Sequence, residues 1–185
     1  MKVLLINGSP HKRGCTNEAL TEIKNELGRC GVESEIFWIG TQPVRGCIAC
    51  HKCVGDGLCL FDDDPANEIH KRILESDGVI IGSPVYYAGP NGALCALLDR
   101  AFYQNGGRFS HKPGAAVVSC RRSGSTASFD RLNKYFTISN MPVVSSAYWN
   151  AVHGNTPEEV RQDKEGLHTM RTLARNRSEE RRVGK

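Results

Sequence analysis

Lys2-Val3-Leu4-Leu5-Ile6-Asn7-Gly8-Ser9-Pro10-His11-Lys12-Arg13-Gly14-Cys15-Thr16-Asn17 runs from an unbroken apolar segment through a polar turn into a helix. Residues 2–6 show no polar alternation, the pattern of a strand buried on both faces, as in a parallel sheet. Thr16–Cys30 follows with Ala19, Leu20, Ile23 and Leu27 at helical spacing, and Gly28 and Gly31 mark its end. Working outward, the same alternation recurs. Strands are expected at Ser34–Ile39, Gly78–Gly82, Gly114–Ser119 and Val143–Trp149. Helices are expected from Asp64-Pro65 to about Ser76, and over Pro90–Tyr103 and Ala127–Ile138. A last one should start at Thr156-Pro157-Glu158-Glu159. Asp64 and Thr156 read as N-caps, each followed by a proline at the first helical position. Five βα units in series imply a parallel sheet covered by helices on both faces, with right-handed crossovers. Ligands of such sheets bind at the carboxyl ends of the strands. The loops after the first, third and fourth strands are therefore the ones to read for chemistry.

The bulk composition narrows the function. The chain has 185 residues, 39% hydrophobic and 24% charged, ordinary for one globular domain. No stretch reaches the ~20 apolar residues of a membrane span, and the N-terminus turns polar too soon for a secretory signal. A cytoplasmic location without membrane contact is the expectation. Eight cysteines without an export signal point to reduced thiols, metal ligands or redox chemistry. The net charge is +4 with no basic stripe interleaved with aromatics, which gives nucleic-acid binding no support.

The first loop, residues 7–17, leads into a helix N-terminus, where backbone amides and the dipole favour an anion. Gly8 and Gly14 are one residue too far apart for a phosphate loop of the Gly-x4-Gly-Lys-Ser/Thr type, and no Gly-x-Gly-x-x-Gly turn is present. Ser9, Thr16 and Asn17 offer polar side chains, with His11, Lys12 and Arg13 nearby. That set suits a terminal phosphate monoester; the bland alternative is a capped polar turn. The second loop, Gly82-Ser-Pro-Val-Tyr-Tyr-Ala-Gly-Pro-Asn-Gly92, joins two prolines, two tyrosines and glycines that let a ligand approach the backbone. It suits a flat aromatic ring, or else its tyrosines only cap the sheet edge. The third, Ser119-Cys-Arg-Arg-Ser-Gly-Ser-Thr126, offers donors to a ring carbonyl or to a reduced ring's negative charge, or is a solvated turn.

Gly-Ser-Pro-His…Cys-Thr-Asn, followed by Gly-Ser-Pro-Val-Tyr-Tyr…Asn-Gly-x-Leu…Leu-Asp-Arg, resembles the NAD(P)H-dependent FMN reductases, and most the branch that includes iron–sulfur flavoproteins. The resemblance covers residues 1 to about 176. It implies a flavodoxin-like three-layer sandwich, α/β, with a five-stranded parallel sheet of order 2-1-3-4-5. It assigns the FMN phosphate to Ser9, His11, Cys15, Thr16 and Asn17, although the family commonly has Arg and Asn where His11 and Cys15 stand. It assigns the isoalloxazine ring to Pro84, Val85, Tyr86, Tyr87 and Asn91, and the remaining flavin side to Arg121 and Arg122. It implies an NAD(P)H donor, a small-molecule acceptor such as a flavin or quinone, and a homodimer or homotetramer. No catalytic side chain is required, because the flavin carries the chemistry.

Cys47-x2-Cys50-x2-Cys53-x5-Cys59 is one compact run. It resembles ferredoxin-type cluster motifs and the compact motif of iron–sulfur flavoproteins, which implies a [4Fe-4S] cluster and single-electron delivery to a protein partner. Redox-active or structural thiols, and zinc, are the competing readings, as is a flavodoxin-type carrier with no pyridine-nucleotide site. Cys30 and Cys95 read as buried small hydrophobes, and His70 and His168 as exposed helical residues. Residues 1–176 form the expected domain. Residues 177–185 carry four positive and two negative charges and Val183 as the sole apolar side chain; they read as an atypical, non-native tail. A native-length transcript encoding the same nine residues would defeat that hypothesis.

Overall fold

The computed structural model describes residues 1–104 and 107–183. Its centre is three parallel strands, β1 (Lys2–Asn7), β3 (Gly78–Tyr86) and β5 (Gly114–Cys120), flanked by β2 (Glu33–Trp38) and β6 (Ala151–His153). The order is β2-β1-β3-β5-β6, with the short β4 (Gly89–Pro90) folded back antiparallel on β3. Leaving that hairpin aside, the parallel strands follow the expected order 2-1-3-4-5. The period of two splits the buried strand residues between two helix layers. Leu4, Ile6, Val79, Ile81, Ala116 and Val118 pack with α3 (Ala66–Glu75), α4 (Gly92–Tyr103) and α5 (Ser125–Ile138). Val3, Leu5, Ile80, Ala115 and Val117 pack with α1 (Cys15–Arg29) and α7 (Lys164–Val183). Two short helices, α2 (Cys53–Asp56) and α6 (Pro157–Gln162), complete the chain.

The fifth parallel strand lies later than the sequence suggests. Val143 makes only an isolated bridge to Gly114, and regular pairing resumes at Ala151–His153. Between them Ser146 Oγ bonds Tyr148 O and Asn150 Oδ1, both at 2.6 Å. Such local hydroxyl bonds compete with the strand ladder, and Tyr148 and Trp149 turn outward. Buried Asn150 ties the returning chain down by donating to Ala116 O at 3.0 Å. Helix starts shift as well. Pro65 takes the cap position of α3 while Asp64 Oδ1 accepts from Ala66 N at 3.1 Å. Thr156 caps α6 as expected, accepting from Glu159 N. Cys30, expected inside, is exposed. α7 continues past Asn176, and Arg177 is buried with Nη2 donating to Asp77 O at 2.8 Å; Gly184 and Lys185 of the expected tail lie outside the described residues.

The two layers meet tight tolerances. A Cβ on Gly114 would stand 2.5 Å from Phe136 Cδ1, so Gly114→Val should cost about 1–3 kcal/mol by overpacking, read as a lower urea midpoint.

His70, expected outside, is fully buried between α3 and α4. Its Nε2 lies 2.9 Å from Arg108 Nη2 and must accept, so Nδ1–H donates to Ala101 O at 3.0 Å. Burial, chiefly, and the Arg108 charge hold its pKa below the usual value, opposed by the Ala101 bond. The unfolded chain therefore binds this proton more readily than the folded one, and stability should fall as pH drops through the histidine range. Melting wild type and His70→Gln at pH 7.5 and 5.5 checks this: the acid loss should shrink in the variant.

Candidate functional site

At the carboxyl edge of the sheet, buried Asn7 shapes the first loop. Its Oδ1 accepts from Ser9 N at 3.0 Å, and its Nδ2 donates to Lys12 O at 3.3 Å. Ser9 Oγ accepts from His11 N at 3.1 Å, and Trp38 Nε1 donates to Ser9 O at 2.8 Å. Gly14 ends the loop as the cap of α1 with no side-chain cap bond. The amides of Cys15, Thr16 and Asn17 thus open the helix without a backbone acceptor among the described residues. The positive end of α1 and these donors make an anion cradle. Burial is the main reason the Cys15 thiol is pushed above its ordinary pKa, and it points at Gly154 O, 3.7 Å away.

The other loops close on this one. Gly8 N donates to Gly82 O at 2.8 Å, joining the first loop to β3. Thr16 Oγ1 lies 2.8 Å from Ser119 Oγ, joining α1 to the end of β5. The β3–β4 hairpin turns on Tyr87 and Ala88, with φ of 50° and 58°, the primed two-residue geometry that suits strand twist. Gly124, at φ 83°, packs so closely that a Cβ would sit 2.9 Å from Ala88 Cα. Between the loops lies a cleft of about 520 Å3.

Ser9, His11, Cys15 and Thr16 line the cleft from the first loop, Pro84, Val85 and Tyr86 from the second, and Arg121 from the third. The other four sequence-expected residues stand apart. Asn17 Nδ2 bonds Thr21 Oγ1 at 3.3 Å. Asn91 caps α4, accepting from Leu94 N at 3.1 Å. Tyr87 projects fully from the hairpin tip, and exposed Arg122 is not on the lining. Arg13 and Gly14 also line the cleft, and so does a fourth loop, Gly154, Asn155, Thr156 and Pro157. The sequence singles out the loops after the first, third and fourth strands; the carboxyl-edge rule applied to the fifth as well points to this loop. His153 lines a neighbouring depression with Asp163, its Nδ1 3.7 Å from Asp163 Oδ2.

Across α4 the four cysteines form a second site. Cys47, Cys50, Cys53 and Cys59 carry free thiols and line one pocket walled by Ile48, Leu60, Phe61, Tyr103 and Arg100. Ala49 and His51, on either side of Cys50, hold φ of 52° and 60°. Such left-handed backbone is uncommon outside glycine and clusters at functional sites. Ala49 N donates to Cys47 Sγ at 3.4 Å and Arg100 Nε to Cys59 Sγ at 3.3 Å. Cys59 N donates to Asn67 Oδ1 and Gln104 Oε1 at 2.8 and 2.7 Å. His51 is engaged by Tyr103 OH at 2.9 Å. Burial first, then its three cysteine neighbours, raise the Cys53 pKa. Among the described residues no three of His, Cys, Asp or Glu converge to hold a single ion. Four sulfurs spread around an apolar pocket, two of them receiving N–H bonds, suit a polynuclear iron–sulfur group better than one zinc.

A five-stranded parallel sandwich with an anion-binding helix end and an open cleft at its carboxyl edge defines a flavodoxin-like nucleotide-cofactor protein. The chain belongs to the NADPH-dependent FMN reductase family, whose sequence pattern matches residues 1–156. It is accordingly a flavin-dependent oxidoreductase. An iron–sulfur flavoprotein of Methanocaldococcus jannaschii is 33% identical over 97% of this chain and 96% of its own length. One from Methanosarcina thermophila is 30% identical over 95% and 92%. Among solved structures, a flavodoxin, WrbA-like protein from Agrobacterium tumefaciens superposes with a TM-score of 0.64 at 14% identity, covering 100% of this chain and 98% of that one. That likeness concerns the fold alone. No described helix is long and apolar enough to cross a membrane.

Proposed function

We propose that the chain binds FMN in the carboxyl-edge cleft, takes electrons from NAD(P)H, and passes them to an acceptor. The observation that carries this reading is the convergence of the loops on one cleft beside the amides of Cys15, Thr16 and Asn17, which have no backbone acceptor among the described residues. FMN, when bound, supplies two-electron entry and one- or two-electron exit. The chain's part is to bind and orient. The α1 amides, Ser9, His11 and Arg13 meet the phosphate; Pro84, Val85 and Tyr86 form the ring wall; Arg121 offers positive charge on the far side. The open mouth of the cleft leaves room for a nicotinamide and then for a small acceptor such as a flavin or quinone. Adding NADH or NADPH anaerobically to the FMN-loaded protein should bleach the flavin within seconds to minutes. A flavin that stays oxidised with both would leave a carrier serving protein partners.

The cysteine pocket favours a further element, a [4Fe-4S] cluster held by Cys47, Cys50, Cys53 and Cys59, with delivery of single electrons to a protein partner. Its support is the four-sulfur lining and the relatives named iron–sulfur flavoproteins. Eight free thiols suit a reducing, cytoplasmic setting. Self-association as a homodimer or homotetramer agrees with the exposed apolar side chains of Ile48, Val54, Leu60 and Tyr87. Sedimentation equilibrium should return a mass of two or four chains; a monomer at all concentrations would remove this part of the reading.

A further inference from the structure

Arg100 is a buried cation, 2% exposed, in the wall of the cysteine pocket. Its planar guanidinium serves acceptors on both sides of the cysteine run. Nη1 donates to Arg45 O at 3.2 Å and pairs with Asp64; Nη2 donates to Phe61 O at 2.7 Å; Nε donates to Cys59 Sγ at 3.3 Å. One side chain on α4 thus ties down residues 45, 59, 61 and 64. That segment holds little regular structure beyond the four-residue α2. Burying such an ion pair is costly and often adds no net stability, so its retention asks for another reason. The use of Nε supplies one. A thiol sulfur is a weak acceptor, a poor partner for a buried charged donor, whereas a sulfur bearing negative charge as a metal ligand is a strong one.

We propose that Arg100 is a positioning residue for the iron–sulfur group: it fixes Cys59 as the fourth ligand and raises the reduction potential through its Nε–H···Sγ bond. This rests on the reading that the four cysteines hold a cluster. Hydrogen bonds to cluster sulfurs are among a protein's levers on potential. A donor beside a ligand sulfur stabilises the more negative, reduced form, so its removal lowers the potential.

The test uses the anaerobically purified holoprotein and two variants. R100K keeps the charge and loses the planar fork. R100M/D64N removes donor and counter-charge together, so no buried carboxylate is stranded. Potentiometric titration reads the cluster and FMN couples in the same sample, and FMN content checks the fold. In both variants the cluster couple should move negative while the FMN couple stays, more so in R100M/D64N. A chelator should strip iron about tenfold faster, in the range seen when outer-shell partners of metal ligands are lost. Should R100M/D64N lose FMN through misfolding, R100K alone gives the reading. An unchanged gap between the two couples overturns the inference and leaves the cluster standing. Wild-type protein without iron and sulfide overturns the cluster reading first, and the role of Arg100 with it.

Discussion

Ser9→Asp is expected to weaken FMN binding about a hundredfold, ~2.7 kcal/mol, while riboflavin binding changes by no more than about twofold. Ser9 is buried, its hydroxyl holds the His11 amide, and it stands where the α1 dipole points into the cleft. A carboxylate there would meet the donors that the phosphate needs and repel the phosphate itself. Like charges forced together cost several kcal/mol, so the stated loss is a conservative share of that penalty. The nearby positive end of α1 offsets part of the cost of burying that carboxylate, and retained riboflavin binding is the check that the fold is kept. Riboflavin lacks the phosphate and serves as the internal control. Fluorescence titration of apoprotein with both ligands reads the effect. Equal weakening of the two would put the phosphate somewhere other than the first loop.

The second large effect belongs to the cysteine pocket. Cys53→Ala should cut iron and acid-labile sulfide to below about a tenth of wild type, because a cluster of this kind needs all four thiolate ligands. FMN affinity should stay within about twofold, because no cysteine of the run lines the carboxyl-edge cleft and additivity holds for separate sites. Cys30→Ala provides the contrast. Cys30 is exposed where α1 ends and does not line the pocket, and its loss should leave iron unchanged. If Cys53→Ala keeps its iron, the metal is held elsewhere. If it loses iron and FMN together, the segment from 40 to 64 is scaffolding for the whole cleft.

Much of this architecture could be read in the sequence, for a physical reason. Strands buried on both faces are continuous apolar runs, and Val3–Ile6, Val79–Ile81 and Ala115–Val118 are each fully buried. Their series with amphipathic helices leaves few topologies open. The last strand lies later than expected because Val143 and Val144 are apolar, while Ser146 carries the chain off the sheet through local bonds that no periodicity reports. The first loop was legible as a candidate anion site because it is a polar turn between a strand and a helix start, where free amides gather. Asn91 shows the limit of such reasoning: its position beside the tyrosines suggests a ligand contact, and its side chain is taken by the first turn of α4. His70 and Arg100 show another limit. His70 reads as an exposed helical residue and Arg100 carries no structural signal of its own, yet each is buried by partners far along the chain, Arg108 for the one and Asp64, 36 residues away, for the other. The spacing of the four cysteines was plain, yet that their sulfurs share one apolar pocket depends on α4 and Phe61, which spacing does not contain.

The visible spectrum of protein purified without oxygen, with FMN, iron and acid-labile sulfide assayed on the same sample, tests the account at its centre. Flavin bands with about one FMN per chain are expected, together with about four irons and four sulfides from the cysteine pocket. A protein that shows no flavin bands, even after FMN is added and excess removed, would contradict it.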